Sequence, residues 1–136
     1  MKMKTRHWVA LIAAIAATFV LVHIGEIIYR NAQYRRVLRT YSDVLKPGMK
    51  RSEVENYFIM SKYVSFEREC CVGPKRGTFD DLVEIAHEKA GWVCQKQVVY
   101  VAFEFAAVEP KRGWVADPGD RLVRTSLYRS VCLDLS

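Results

Sequence analysis

Four cysteines, Cys70, Cys71, Cys94 and Cys132, are the residues of this 136-residue chain with the most chemistry to offer. An even set in a small domain fits structural disulfides of the kind exported folds use. Four cysteines allow three connectivities, and spacing does not choose among them. A vicinal Cys70–Cys71 bridge is strained, which favours that pair reaching toward Cys94 and Cys132. If the last two strands pair with Ala106 opposite Arg121, Cys94 falls opposite Leu133, one position from Cys132. Two other readings use the same residues. A zinc site is disfavoured because adjacent cysteines share one tetrahedron poorly and no C-x2-C knuckle is present. Thiol-redox catalysis is disfavoured because the C-x-x-C spacing that lowers a thiol pKa is missing. Buried free thiols account for what remains.

The second candidate is the cluster Asp80, Asp81, Glu84, His87 and Glu88. Glu84-x-x-His87 matches the helical spacing of di-metal sites, but such sites need matching ligands on other helices. On a strand that spacing loses its meaning, so the cluster reads as solvated surface. No G-x-S-x-G, P-loop or H-E-x-x-H pattern occurs. The expectation is of no catalytic residue, no cofactor and no metal, and no small-molecule substrate is evident.

What positions these residues begins at the N-terminal end. Lys2, Lys4 and Arg6 precede an apolar run, Trp8 to Ile24, without a formal charge. At about 1.5 Å per residue the run covers roughly 26 Å, near the lower limit for a bilayer core of about 30 Å. Ile27, Ile28 and Tyr29 extend it if Glu26 snorkels to the headgroups. A cleaved signal has a shorter apolar stretch, about 7–15 residues, followed by a small-x-small site. Here the run ends Val22-His23-Ile24-Gly25-Glu26, so an uncleaved anchor is the better reading. The lack of a cysteine at that end argues against a lipoprotein signal. The expected organisation is a cytoplasmic segment 1–7, a transmembrane anchor 8–29, a basic juxtamembrane helix 30–39 and a small domain 40–136. Basic residues flank the span on both sides, so they do not orient it. The even cysteine set does, placing the domain outside the cytoplasm on a single-pass chain in the cytoplasmic (inner) membrane. His23, at the end of the run, is expected at the membrane interface.

Charge supports a membrane-side reading. Residues 1–51 hold ten Lys/Arg against two acids, while residues 52–136 hold eleven against thirteen. The whole excess of +6 therefore lies beside the anchor, where each basic residue gains about 1 kcal/mol from anionic lipid. The rest of the chain is slightly acidic and carries no nucleic-acid-reading motif, which excludes nucleic acid as the expected partner.

Beyond the anchor, Ile27, Tyr34, Leu38, Tyr41 and Leu45 share a helical face, and Lys46-Pro47-Gly48 ends that helix. Residues 49–59 read as a short second helix, with Ser52 and Glu55 as a capping box and Val54, Tyr57 and Phe58 buried. The remainder reads as strands. Residues 63–70 alternate, with Val64, Phe66 and Cys70 on one face, and 73–77 form a loop. Residues 82–88 suit either element, and their Val, Ile and flanking turn favour strand. Residues 98–108 send Val99, Val101, Phe103 and Phe105 one way and Tyr100 and Glu104 the other. Residues 109–119 are loop. Residues 121–135 return with Val123, Leu127, Val131 and Leu133 on one face. This is an α+β fold, with helices on an antiparallel sheet of three or four strands.

The stretch Leu45-Lys46-Pro47-Gly48-Met49-Lys50-Arg51-Ser52-Glu53-Val54-Glu55 resembles the signature of the BamE/SmpA group, small envelope proteins of β-lactamase-inhibitor-like α+β fold. In that group a Gly-Met-Thr element opens the second helix, where this chain has Lys50 in place of the Thr. The helical anchor in place of a lipid and the four cysteines are further differences. The resemblance implies a non-enzymatic adaptor or inhibitor role with a protein partner in the envelope.

Overall fold

The computed structural model describes residues 2–61, 66–70, 79–88, 97–108 and 115–130. Its elements are α1 (Lys2–Val44), α2 (Arg51–Met60), β1 (Phe66–Cys70), β2 (Phe79–Glu88), β3 (Gln97–Ala106) and β4 (Arg121–Arg129). The four strands form one antiparallel meander in the order β1-β2-β3-β4. The fold is α+β. The chain divides into two compact units, residues 1–35 and 36–136.

The first unit is helical. Within α1 lies a segment long and apolar enough to cross a membrane. Its large side chains are exposed on every side: Trp8, Leu11, Ile12, Ile15, Phe19, Leu21 and Ile24 among them. A helix apolar all round needs an apolar surrounding. Thr18 turns its hydroxyl inward, donating to the Ala14 carbonyl at 2.9 Å, so even this polar residue is satisfied within the helix.

The second unit is a layer of helix on sheet. Val37, Leu38, Tyr41 and Leu45, at helical spacing, pack with Val54, Tyr57 and Phe58 of α2 onto one face of the sheet. That face presents Phe66, Val83, Ile85, Val101, Phe103, Phe105, Leu122 and Leu127. Aromatic edges fill the centre: Tyr41 meets Phe58 at 5.5 Å and Phe103 at 5.9 Å, and Phe58 lies 5.0 Å from Phe103. The opposite face carries a smaller cluster of Leu82, Val98, Tyr100 and Ala102 with Tyr128 beside it. β3 is thus buried on both faces, and Tyr100 and Glu104, turned away from the helices as the alternation predicts, are buried too.

The α1-to-α2 link is a tight turn. Met49 N–H donates to the Lys46 carbonyl at 3.2 Å, with Pro47 and Gly48 at the two central positions. Gly48 has φ +95°, the left-handed conformation that the second central position of a type II turn requires. α2 then starts at Arg51 with Lys50 as its N-cap. The expected Ser52–Glu55 box is displaced by two residues: Glu53 Oε2 accepts the Lys50 N–H at 2.7 Å. Only this reverse half of a capping box operates, because a lysine ammonium has no lone pair to offer the third N–H.

Two bulges set the registers. Ala106 does pair with Arg121 and Phe105 with Leu122, but the ladder slips before Glu104 pairs with Arg124. Val123 is the extra residue. It is exposed, and Leu122 takes the buried place that the alternation assigned to Val123. On β2 the slip lies between Glu84 and Ala86, making Ile85 the extra residue.

Candidate functional site

Polar chemistry in the described core centres on the first residue of α2. Arg51 is three residues before Val54 and seven before Phe58, so helical periodicity aims it at the sheet with them. Its side chain is only 1 % exposed. Nη1 donates to Asp81 Oδ1 of β2 at 2.5 Å, and Nε lies 3.6 Å from Asp120 Oδ2. The guanidinium also stacks 4.0 Å over the Phe105 ring. Both aspartates are fully buried.

Backbone hydrogen bonds hold Arg51 and Asp120 together. Arg51 N–H donates to the Asp120 carbonyl at 2.8 Å and Ser52 N–H to the Pro118 carbonyl at 3.1 Å. These are two of the donors that the first turn of any helix leaves without an intrahelical partner. Gly48 N–H donates to Leu122 O, and Leu122 N–H to Met49 O, at 2.7 and 2.9 Å. Asp120 sits at the end of an Asp117-Pro118-Gly119-Asp120 turn, in which Asp117 Oδ1 accepts the Gly119 N–H and Asp120 Oδ2 the Asp117 N–H. Two Pro-Gly turns, 46–49 and 117–120, are thereby stitched side by side at the entry to α2.

Further charge rims the cluster. Arg68 of β1 pairs with Glu55 of α2 at 2.6 Å and extends Nε to within 3.9 Å of Asp81 Oδ1. The hydrogen bond to Glu55 is the main reason the Arg68 pKa is raised. Burial pushes the Asp81 carboxyl up to about 7, against the pull of Arg51 and with the push of Glu55. Asp81 Oδ2 is buried and accepts no hydrogen bond.

The sequence-predicted candidates divide accordingly. Asp80 and Asp81, read as solvated surface, are 4 % and 0 % exposed, because β2 is an inner strand covered on both faces. Glu84 and His87 are on the surface and partly solvated, and they touch: Nε2 of His87 lies 2.7 Å from Glu84 Oε1. In a regular strand residues three apart face opposite ways. The Ile85 bulge turns both to one side. Glu88 pairs with Arg129 at 3.3 Å. Among the described residues no group of three or more His, Cys, Asp or Glu is arranged to hold a metal. Cys70 ends β1 opposite Phe79 in the ladder. Its side chain, and Cys71, Cys94 and Cys132 altogether, lie outside the described residues.

No family model, curated protein or solved structure matches this chain.

On the outer face of the sheet, Glu104 Oε1 accepts from Arg124 Nε and Nη2 at 2.9 and 2.6 Å and from Ser126 Oγ at 3.2 Å. With Arg51 this makes two charge-assisted networks on opposite faces of β3. Sequence reasoning missed Arg51 and Asp120. The signal for Arg51 was its place on the apolar stripe of α2, and that for Asp120 was the Asp-Pro-Gly-Asp turn directly before a strand. Chemically, a guanidinium held between carboxylates fixes geometry and charge, and it offers no nucleophile.

Proposed function

We propose that this chain is a single-pass protein of the cytoplasmic membrane whose α+β domain, held outside the cytoplasm, is a non-enzymatic binding or scaffolding module of the cell envelope. The observation that carries the tether is the helix whose apolar side chains are exposed all round between Trp8 and Ile28. Leaving such a surface in water costs about 25 cal/mol per Å2, whereas lipid covers it without that cost. The concentration of basic residues in 1–51 supports contact with anionic headgroups as well. The envelope role rests on the resemblance of residues 45–55 to the BamE/SmpA signature, and the outward orientation rests on the four cysteines.

The test is made in cells. A reporter active only outside the cytoplasm, fused after Ser136, is expected to be active, and the protein is expected to stay in the membrane pellet after alkaline washing. A soluble product shortened by about twenty-five residues would show a cleaved signal instead. An inactive reporter on a membrane-bound chain would reverse the orientation. Site-directed crosslinking from the domain is expected to capture an envelope protein. Binding of a thiol-redox partner or stoichiometric zinc would replace the scaffold reading with a thiol or metal one.

A further inference from the structure

Arg51, Asp81 and Asp120 place one guanidinium and two carboxylates where none is more than 1 % exposed. The guanidinium is cationic at every pH a protein survives. With both carboxylates ionised the cluster therefore holds a net negative charge out of water, which a low-dielectric interior penalises heavily. Among the described residues, the neighbours on the packed elements bring charge in balanced pairs or as further acid. Arg68 approaches from β1, but it brings Glu55 of α2 with it at 2.6 Å, so the rim adds a cation and an anion together. Asp80, the neighbour on β2, adds a further buried acid on the other face of the sheet. From α1 the titratable group packed on the same core is Tyr41, a phenol that burial makes harder to ionise. The remaining β3 groups on this side, Phe103 and Phe105, are uncharged.

The two carboxylates are not equivalent. Asp120 Oδ2 accepts the Asp117 N–H at 2.9 Å. Asp81 uses Oδ1 toward Arg51, while its Oδ2 is buried with no hydrogen-bond partner. A proton on Oδ2 removes the excess charge and leaves the Oδ1 contact intact.

We propose that this cluster is a proton-operated latch, in which Asp81 gains and loses the proton and the parts that tighten or loosen are the first turn of α2 and the 117–120 turn. The upward push on the Asp81 carboxyl, to about 7, agrees with the charge count. The sign follows from linkage. The folded carboxyl binds its proton more tightly than the unfolded one, whose ordinary value is 3.8. Its contribution to stability is therefore complete below about pH 4 and is lost as pH rises to about 7. This is the reverse of a salt-bridged aspartate, which stabilises in alkali and fails in acid. The latch makes the domain firmer at mildly acidic pH than at neutral pH, and it works whether or not the chain is tethered.

The experiment uses the full chain in detergent micelles, with aspartate carboxyls labelled with carbon-13. One aspartate is expected to titrate with a midpoint near pH 7, and its signal is expected to be missing in Asp81→Asn. In parallel, amide exchange at Arg51, Ser52 and Leu122, corrected for the chemical rate, reads the latch itself. Opening is expected to rise by up to about tenfold per pH unit between about pH 5 and 7 in the wild type. In Asp81→Asn, where the amide keeps an oxygen for Arg51, that slope is expected to vanish. The proposal fails if every aspartate titrates below about pH 5, or if the variant keeps the wild-type slope. Should the variant not fold, the wild-type titration and exchange profile decide alone, since a merely structural ion pair moves neither near neutrality.

Discussion

Arg51 Nη1 of α2 and Asp81 Oδ1 of β2 meet at 2.5 Å across a sequence separation of 30. This contact joins the helix layer to the sheet at the point where the chain enters α2, and it does so inside the core. Removing the guanidinium takes a shared partner away from two buried acids. Arg51→Ala is therefore expected to cost about 3–5 kcal/mol, measured by urea unfolding at neutral pH. Arg51→Lys is expected to recover only part of that, because an ammonium cannot address Asp81 and Asp120 with a planar fork or stack on Phe105. A loss under about 1 kcal/mol for Arg51→Ala would show that the cluster does not hold α2 to the sheet.

Phe58 is the keystone of the apolar side of the same interface. Its ring lies between Tyr41 of α1, Phe66 of β1 and Phe103 of β3, with centroids 5.5, 6.3 and 5.0 Å away. Truncation removes contacts to three elements at once, and the ring walls cannot collapse inward together. Phe58→Ala is expected to destabilise by about 3–5 kcal/mol. The adjacent Ile59 is 73 % exposed, and Ile59→Ala is expected to stay within about 0.5 kcal/mol. Thermal unfolding of the two variants side by side checks the assignment of faces.

These contrasts explain what the sequence could tell. The helix faces were legible because 3.6-residue periodicity survives in both helices: Leu38, Tyr41 and Leu45, then Val54 and Phe58, lie where spacing put them. The strands were legible where alternation runs unbroken, as along Val99 to Phe105. It failed at the bulges, since one extra residue reverses the phase beyond it. Val123 takes the place of Leu122 on the expected face for that reason, and the Ile85 bulge lets Glu84 and His87 meet on a strand where their spacing alone carries no meaning. The buried ion cluster was harder still. Arg51, Asp81 and Asp120 come from three separate parts of the chain, and the local signals at Arg51 and Asp120 do not say that the two meet. Only the paired positions reveal that one cation serves two carboxylates, and pairing over such separations leaves no local pattern.

Gly48 tests the turn that sets the α2 entry. A Cβ built there meets nothing within 4 Å, so any cost of substitution is conformational rather than steric crowding. At φ +95° an L side chain strains the backbone. Gly48→Ala is expected to destabilise by about 1–2 kcal/mol. Because Gly48 N–H and its carbonyl hold Leu122 O and Arg121 Nη1, amide protection at Leu122 is expected to fall with it. Unchanged stability would mean that the turn relaxes without disturbing the Pro-Gly pair.

The last expectation concerns the cysteines. A domain of about a hundred residues buries one modest core, and crosslinks contribute proportionately more to small folds. Cys70 closes β1 opposite Phe79, and Cys71 follows it directly, so a bridge from this pair would pin the outer strand of the meander. One bridge stabilises by about 2–4 kcal/mol, mainly by restricting the unfolded chain. A domain of this size moves by about 4–8 °C for each kcal/mol. Reduction of the oxidised protein is therefore expected to lower its melting temperature by at least about 8 °C, and Cys94→Ser or Cys132→Ser to reproduce much of that fall. Thiol counting on protein purified without reductant is expected to find none free. An unchanged melting curve in strong reductant would defeat the disulfide reading, and stoichiometric zinc in the same preparation would assign the cysteines to a metal instead.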